Sequence, residues 1–109
     1  MSKKIVIDSG HGGEDNGASG NGIIEKDLTL KISKYMKQRF DELGIPNQMT
    51  RTEDVTLNPN DRVKKVLSFY GDGKDVIVLS NHINAGGGEF IYHYIIWLRV
   101  KTAVFRQLN

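Results

Sequence analysis

Apolar positions fall along this chain in two rhythms. Ile5-Val6-Ile7 is a short β-branched run closed by Ser9-Gly10, which predicts a buried strand. A glycine-rich stretch over residues 10–22 reads as a loop. From about Glu25 the rhythm lengthens. Leu28, Ile32, Tyr35, Met36, Phe40 and Leu43 recur at spacings of three and four, the pattern of one helix face. Gly44 and Pro46 end that helix, with glycine where a left-handed cap is favoured. Residues 45–50 predict a second strand. Asn58-Pro59 reads as an N-cap followed by proline at the first helical position. Val63, Val66, Leu67 and Tyr70 supply the apolar face of this second helix, and Gly71 closes it. Val76-Ile77-Val78-Leu79 is apolar on both faces, as a central parallel strand covered by helices would be. The order strand, helix, strand, helix, strand predicts an α/β fold with a mostly parallel sheet and helices on both faces.

The pattern changes after Gly88. Residues 90–100 are almost continuously apolar, and five of the chain's nine aromatic residues lie beyond Gly88. A strand over residues 90–98 is predicted, with residues 102–108 as a short amphipathic turn or a loose end.

Composition narrows the function classes. At 109 residues the chain is one domain at most. Its 26% charged residues carry a formal net charge of only +2, with Lys and Arg interleaved among Asp and Glu. That is not the basic stripe of a nucleic-acid binder, so no nucleic-acid partner is expected. The chain has no cysteine, which excludes thiolate metal sites and leaves His, Asp and Glu as ligands. No apolar stretch approaches a membrane span, and the first apolar run is too short for a signal peptide. The expectation is therefore synthesis in the cytoplasm with no membrane insertion.

Candidate chemistry gathers at one edge. Ligands of an open parallel sheet collect at the carboxyl ends of its strands. His11 lies just past the first strand and His82 just past the strand over residues 76–79. Glu25 opens the first helix, which begins on that same edge. Topology thus brings a His₂Glu set together, the ligand type of several hydrolytic zinc sites with a position open for water. Taken singly, each has a structural reading: His11 as a loop residue, Glu25 as a first-turn carboxylate favoured by the helix dipole. A phosphate-cradling loop is disfavoured, because neither G-x-x-x-x-G-K-[ST] nor G-x-G-x-x-G occurs.

The residues around these positions carry a resemblance. Ile5-Val6-Ile7-Asp8-Ser9-Gly10-His11-Gly12-Gly13, followed by Asp15, Gly17 and Ala18, resembles the opening motif of the zinc-dependent N-acetylmuramoyl-L-alanine amidases. These enzymes occur among bacterial autolysins, sporulation-associated lytic enzymes and phage endolysins. Gly22-Ile23-Ile24-Glu25-Lys26-Asp27-Leu28 is similar to the second motif, and Thr50-Arg51 with Asp54, Leu57 and Arg62 to the central block. Ser80-Asn81-His82-Ile83-Asn84-Ala85 is similar to the third. The resemblance implies Zn²⁺ held by His11, Glu25 and His82, and cleavage of the amide between N-acetylmuramic acid and the L-alanine of the peptidoglycan stem peptide. Asp8, Asn81 and Asn84 are candidates for orienting the histidines, against the plainer reading of loop or strand-end hydrogen bonding. Arg51 and Arg62 read as structural ion-pair partners.

The resemblance covers residues 1–88 of a single domain spanning 1–109, and leaves 89–109 as a divergent tail, so that the fold reads as truncated relative to the full amidase domain. In the family a later strand carries a glutamate serving as general acid/base. Here Glu89 is the only carboxylate after the third motif, and it stands where the family has a glycine-rich loop. No catalytic base is therefore assigned. A truncated, frameshifted or prophage-remnant tail is expected, against the alternative of a divergent short member that still forms a strand over residues 90–98. A sheet shorn of later elements would expose an edge and favour self-association. Three functions stay open. They are a peptidoglycan amidase released to the wall by a holin or by lysis, an impaired remnant that only binds zinc or cell wall, and an unrelated α/β protein with incidental histidines.

Overall fold

The structure, a computed structural model, describes residues 3–20, 22–84 and 92–99. Six strands and two helices follow in the order β1 (Lys4–Ser9), β2 (Ser19–Gly20), β3 (Ile23–Ile24), α1 (Glu25–Glu42), β4 (Asn47–Met49), α2 (Pro59–Tyr70), β5 (Val76–Asn84) and β6 (Tyr92–Arg99). The main sheet has the order β4-β1-β5-β6. β1 lies parallel to both β4 and β5, whereas β6 runs antiparallel to β5. β2 and β3 form a separate short ribbon that leads into α1.

Strand alternation divides the core into two layers. Ile5 and Ile7 of β1 face α1, packing with Met49, Ile77 and Leu79 against Leu30, Met36 and Phe40. Val6, between them, faces α2, where Val66, Phe69 and Tyr70 meet Val76 and Val78. The helices thus cover opposite faces, as the unbroken apolar runs of β1 and β5 predict. Local signals act as read. The Asn58 side chain accepts from Asp61 N at 2.8 Å, and Pro59 opens α2. Gly44, with φ of 70°, follows the last turn of α1.

The inward face of α1 differs from the expected one. Tyr35 and Leu43 are exposed, while Glu25, Thr29 and Ser33 form the buried row at i, i+4 spacing. The helix is turned because its first half looks onto polar groups at the ends of β1 and β5, where Ser33 Oγ accepts from Ser9 Oγ at 2.6 Å. Apolar periodicity could not see a buried row of polar residues. In α2, Leu67 is exposed for a related reason: Arg62, not an apolar residue, heads the inward row with Val66.

The strand expected over residues 90–98 is present as β6, although residues 90 and 91 lie outside the described residues. So do residues 102–108 and Glu89. β6 pairs with β5 on one side, and Ile95, Ile96 and Trp97 on it are exposed.

This packing generates a prediction. Ile7 is completely buried between β4, β5 and α1, so Ile7→Ala should lower the unfolding free energy by about 2–5 kcal/mol. Ile96→Ala on exposed β6 should change it by no more than about 0.5 kcal/mol. Urea denaturation followed by circular dichroism measures both.

Candidate metal centre

The carboxyl ends of β1 and β5 meet the amino end of α1. His11 follows β1 by two residues and takes φ of 65°, a left-handed conformation rare outside glycine and one that strained functional positions often adopt. The turn aims its ring at α1. Glu25 is the first residue of α1, as expected, and is almost wholly buried. His82 sits within β5 rather than past its end, because pairing with β6 prolongs that strand to Asn84. It still stands near the carboxyl end.

The three side chains converge. One ligand atom from each of His11, Glu25 and His82 lies within 4.8 Å of the others. His11 Nε2 is 3.1 Å from Glu25 Oε1, and His82 Nδ1 is 3.4 Å from Glu25 Oε2. The imidazole rings stand edge to face at 5.8 Å between centroids. The Glu25 carboxylate is anchored by backbone donors: Ala18 N donates to Oε1 and Ile83 N to Oε2, each at 2.9 Å. Those bonds fix it midway between the two rings.

Two glycines keep this space open. A Cβ on Gly17, whose φ is 70°, would stand 2.5 Å from His11 Cδ2 and 2.6 Å from Glu25 Oε1. A Cβ on Gly10 would lie 2.7 Å from His82 Nδ1. Beside the three side chains is a small cavity of about 90 Å³ bounded by Gly10, His11, Asp15, Leu57, Pro59, Arg62 and His82.

Behind the rim lies a buried polar scaffold. Asp8 is fully buried at the end of β1. It accepts from Arg62 Nη1 at 2.6 Å, from Thr50 Oγ1 at 2.9 Å and from Ser80 Oγ at 2.8 Å. Ser80 Oγ is in turn 2.9 Å from His82 Nε2. Asp8 thus reaches His82 through Ser80. Arg62 also donates to the carbonyls of Ser9 and His11. It is the structural ion-pair partner expected. Arg51 is not: among the described residues it makes no ion pair and donates to the carbonyls of Gly10 and Lys26 and to Thr29 Oγ1. Its guanidinium ends where the carbonyls of Gly10 and Glu53, in loops, and of Lys26, in the first turn of α1, converge, and these accept its protons instead of a carboxylate.

The other orienting candidates fare differently. Asn81 shares strand parity with Ile77 and Leu79, so it points towards α1 and donates to Ser33 Oγ, away from the rim. The side chain of Asn84 lies outside what the structure describes. The residue that does touch His11 is Asp15, at 2.7 Å from Nδ1. The His11 hydrogen bond holds the Asp15 carboxyl below the usual carboxylate range. Sequence reasoning had placed Asp15 within the opening motif without a role, since only the left-handed turn at His11 reveals the contact.

The donor set suits a cation. Asp15 and Ser80 each occupy one nitrogen of a histidine, leaving the other nitrogen directed at an anionic carboxylate. Burial pushes the His82 imidazole below its ordinary value of 6.5, which favours the neutral ring that a metal requires. A cluster of one carboxylate and two imidazoles with their outer nitrogens already held is how protein metal sites are built.

The chain belongs to a family of wall-lytic hydrolases: the model described as N-acetylmuramoyl-L-alanine amidase matches residues 5–103, a stretch that includes β6. It is similar to the sporulation-specific N-acetylmuramoyl-L-alanine amidase of Bacillus subtilis, with 39% identity over 94 residues, 84% of this chain and 35% of that protein. It is equally similar to the endolysin of Bacillus phage SPP1, 39% identical over 87% of this chain and 35% of the endolysin. Among solved structures, the N-acetylmuramoyl-L-alanine amidase from Clostridium difficile 630 superposes with a TM-score of 0.69 at 28% identity, covering 82% of this chain and 48% of that one. The catalytic domain of CwlV from Bacillus (Paenibacillus) polymyxa gives 0.67 at 28% identity, covering 79% and 48%. The chain therefore spans about a third of these curated relatives and about half of these solved structures.

Two predictions follow from the scaffold. Arg62→Ala leaves the buried Asp8 carboxylate unpaired and should destabilise the fold by about 3–5 kcal/mol. Arg39→Ala, which breaks an exposed pair with Glu42, should cost no more than about 1 kcal/mol; urea unfolding compares them. The second concerns pH. Because the folded chain protonates His82 less readily than the unfolded chain, the metal-free protein keeps this contribution in full above pH 6.5 and loses it as pH falls through that value towards the lower folded one. The urea midpoint should drop between about pH 7 and 5, and less steeply in His82→Gln.

Proposed function

We propose that this chain is the zinc-binding part of a peptidoglycan amidase, with His11, Glu25 and His82 as the ligands. The observation that carries this reading is the carboxylate of Glu25 fixed by two backbone amides between two imidazoles whose outer nitrogens are already engaged. Family membership supplies the substrate class: the amide between N-acetylmuramic acid and the stem-peptide L-alanine. The chemistry zinc supplies when bound is activation of a water and polarisation of the scissile carbonyl.

The chain's own residues do the rest. Glu25 and the histidines hold the ion at the strand ends, with Arg62 and Asp8 fixing the floor beneath. Leu57 and Pro59 give the adjoining cavity an apolar wall, which keeps bulk water from one side of the reacting bond. Proton transfer is the weak link. Asp15 is committed to His11 and Asp8 to Arg62. Apart from Asp15, no carboxylate lines the cavity among the described residues. A general acid/base contributes about 10²–10⁴-fold to such reactions, so this chain is expected to be slow by that factor beside a complete family domain. The same observation favours a second reading, a module that keeps zinc or wall binding without turnover. Either form acts on the cell wall after holin-mediated release or lysis, as the endolysin likeness suggests.

Release of new L-alanine amino termini from purified walls tests the assignment. The zinc-loaded chain should release them about 10²–10⁴-fold more slowly than a complete family amidase, and His82→Ala should abolish the residue. Zinc binding without any His82-dependent release would establish the second reading. Failure to bind zinc would reject the first reading, and failure to bind either zinc or purified walls would reject both.

A further inference from the structure

Lys26 and Asp54 come from two different motifs and meet beside the rim. Lys26 Nζ donates to Asp54 Oδ2 at 2.9 Å and to Gly13 O at 2.8 Å. Asp54 Oδ1 accepts from Gly13 N at 2.7 Å, and Thr56 Oγ1 accepts from Glu14 N at 3.1 Å. Gly13 and Glu14 form the tip of a turn closed by reciprocal backbone bonds between Gly12 and Asp15, at 2.8 and 3.0 Å. His11 leads into this turn, and Asp15, which holds the His11 ring, ends it. The tip is therefore caught on both sides, by a loop over residues 53–56 and by the first turn of α1.

The approach is close because two glycines permit it. At Gly12, with φ of 138°, a Cβ would run into Val55 O, and at Gly13, with φ of 59°, into Thr56 Oγ1. Backbone amides at the tip of a tight turn need acceptors from elsewhere, and here one is a carboxylate, which makes the stronger, charge-assisted bond. Lys26 follows Glu25 in α1, so its side chain joins the turn after one candidate ligand to the helix that bears another. Arg62 holds the His11 carbonyl from below. The contacts to Lys26, Asp54 and Thr56 hold the turn beyond it from outside. Asp54 is half exposed, so its pair with Lys26 adds little to stability. What the pair fixes is the position of a loop.

We propose that Asp54, Lys26 and Thr56 form a clamp on the Gly12–Asp15 turn that sets His11 against Glu25, which makes them positioning residues for the metal acting through the backbone of that turn. A metal site needs its donors held to within about 0.5 Å, and His11 is the one candidate ligand carried by a loop instead of a strand or helix. The metal half of this statement rests on the ligand reading of His11, Glu25 and His82; the clamp itself belongs to the metal-free chain.

Zinc affinity by chelator competition, with the visible spectrum of the cobalt-loaded full chain, tests it. Lys4 and Asp75 form a pair of the same chemistry at the opposite edge of the sheet and serve as the control. Asp54→Ala should weaken zinc by about tenfold, the low end of what outer partners of a metal site contribute, and should change the cobalt spectrum. Asp54→Asn keeps an acceptor for Gly13 N without the charge facing Lys26, and should fall between. Lys26→Met should reproduce the loss, and Lys26→Arg, which keeps a charged donor, should restore binding. Asp75→Ala should leave affinity and spectrum unchanged, although its urea midpoint falls by as little as that of Asp54→Ala. NMR of the metal-free chain adds a second readout. Slow exchange of the Gly13 amide, and the proton contact between the His11 and His82 rings 5.8 Å apart, should be present in the wild type and lost in Asp54→Ala. Zinc bound as tightly by Asp54→Ala as by the wild type, with both NMR signals kept, would overturn the proposal. So would an equal loss of affinity in Asp75→Ala. A wild type that binds no zinc would remove the ligand reading, and the metal-free spectra would still decide the clamp.

Discussion

A carboxylate with no solvent access stands at the end of β1, and the arrangement of the rim follows from satisfying it. Burying an unpaired charge costs several kcal/mol, so Asp8 must draw partners to itself. It takes Arg62 from α2, Thr50 from the end of β4 and Ser80 from β5. Three elements far apart in sequence are thereby set around one side chain. Arg62 spends its remaining donors on the carbonyls of Ser9 and His11, which fixes the turn that swings His11 over the sheet. Ser80 passes the constraint on to His82. Buried ion pairs often stabilise a fold no more than an apolar pair of equal size would; this one joins α2 to the end of β1 beneath the rim.

Opposite that floor, α1 presents a polar row instead of an apolar one. Glu25, Thr29 and Ser33 are buried where a core helix would carry leucines. Thr29 donates to Gly10 O and Ser33 binds Ser9 and Asn81, so the helix is docked by hydrogen bonds near the rim. It is docked by Met36 and Phe40 farther away. Hydrogen bonds are directional where apolar packing is not, which suits the end of the helix that places the Glu25 carboxylate between the two rings.

The strands and helices were legible because each announces itself locally: β-branched runs for β1 and β5, Asn58-Pro59 for α2, Gly44 after α1. The three converging side chains were legible from topology, since strand ends and a helix start share one edge. The inward face of α1 was not, because periodicity counts apolar residues and this face is half polar. Asp15 was hidden by the backbone, its contact depending on a φ of 65° that a histidine rarely takes. Asn81, open between orienting a histidine and plain strand-end hydrogen bonding, does the second. Strand alternation from Ile77 and Leu79 already puts it on the α1 side, and parity outweighs proximity in sequence. The role of Arg51 depended on which backbone oxygens surround it, a tertiary fact with no local signature.

The account turns on whether one ion is held by two imidazoles and one carboxylate at the meeting point of β1, β5 and α1. X-ray absorption at the zinc edge, on the full chain loaded with one equivalent and freed of excess, reads that directly. The expected spectrum carries the outer-shell scattering of two imidazoles, of which one is lost in His11→Ala and one in His82→Ala. A wild-type spectrum with fewer than two imidazoles, or a chain that releases its zinc on gel filtration, would contradict it.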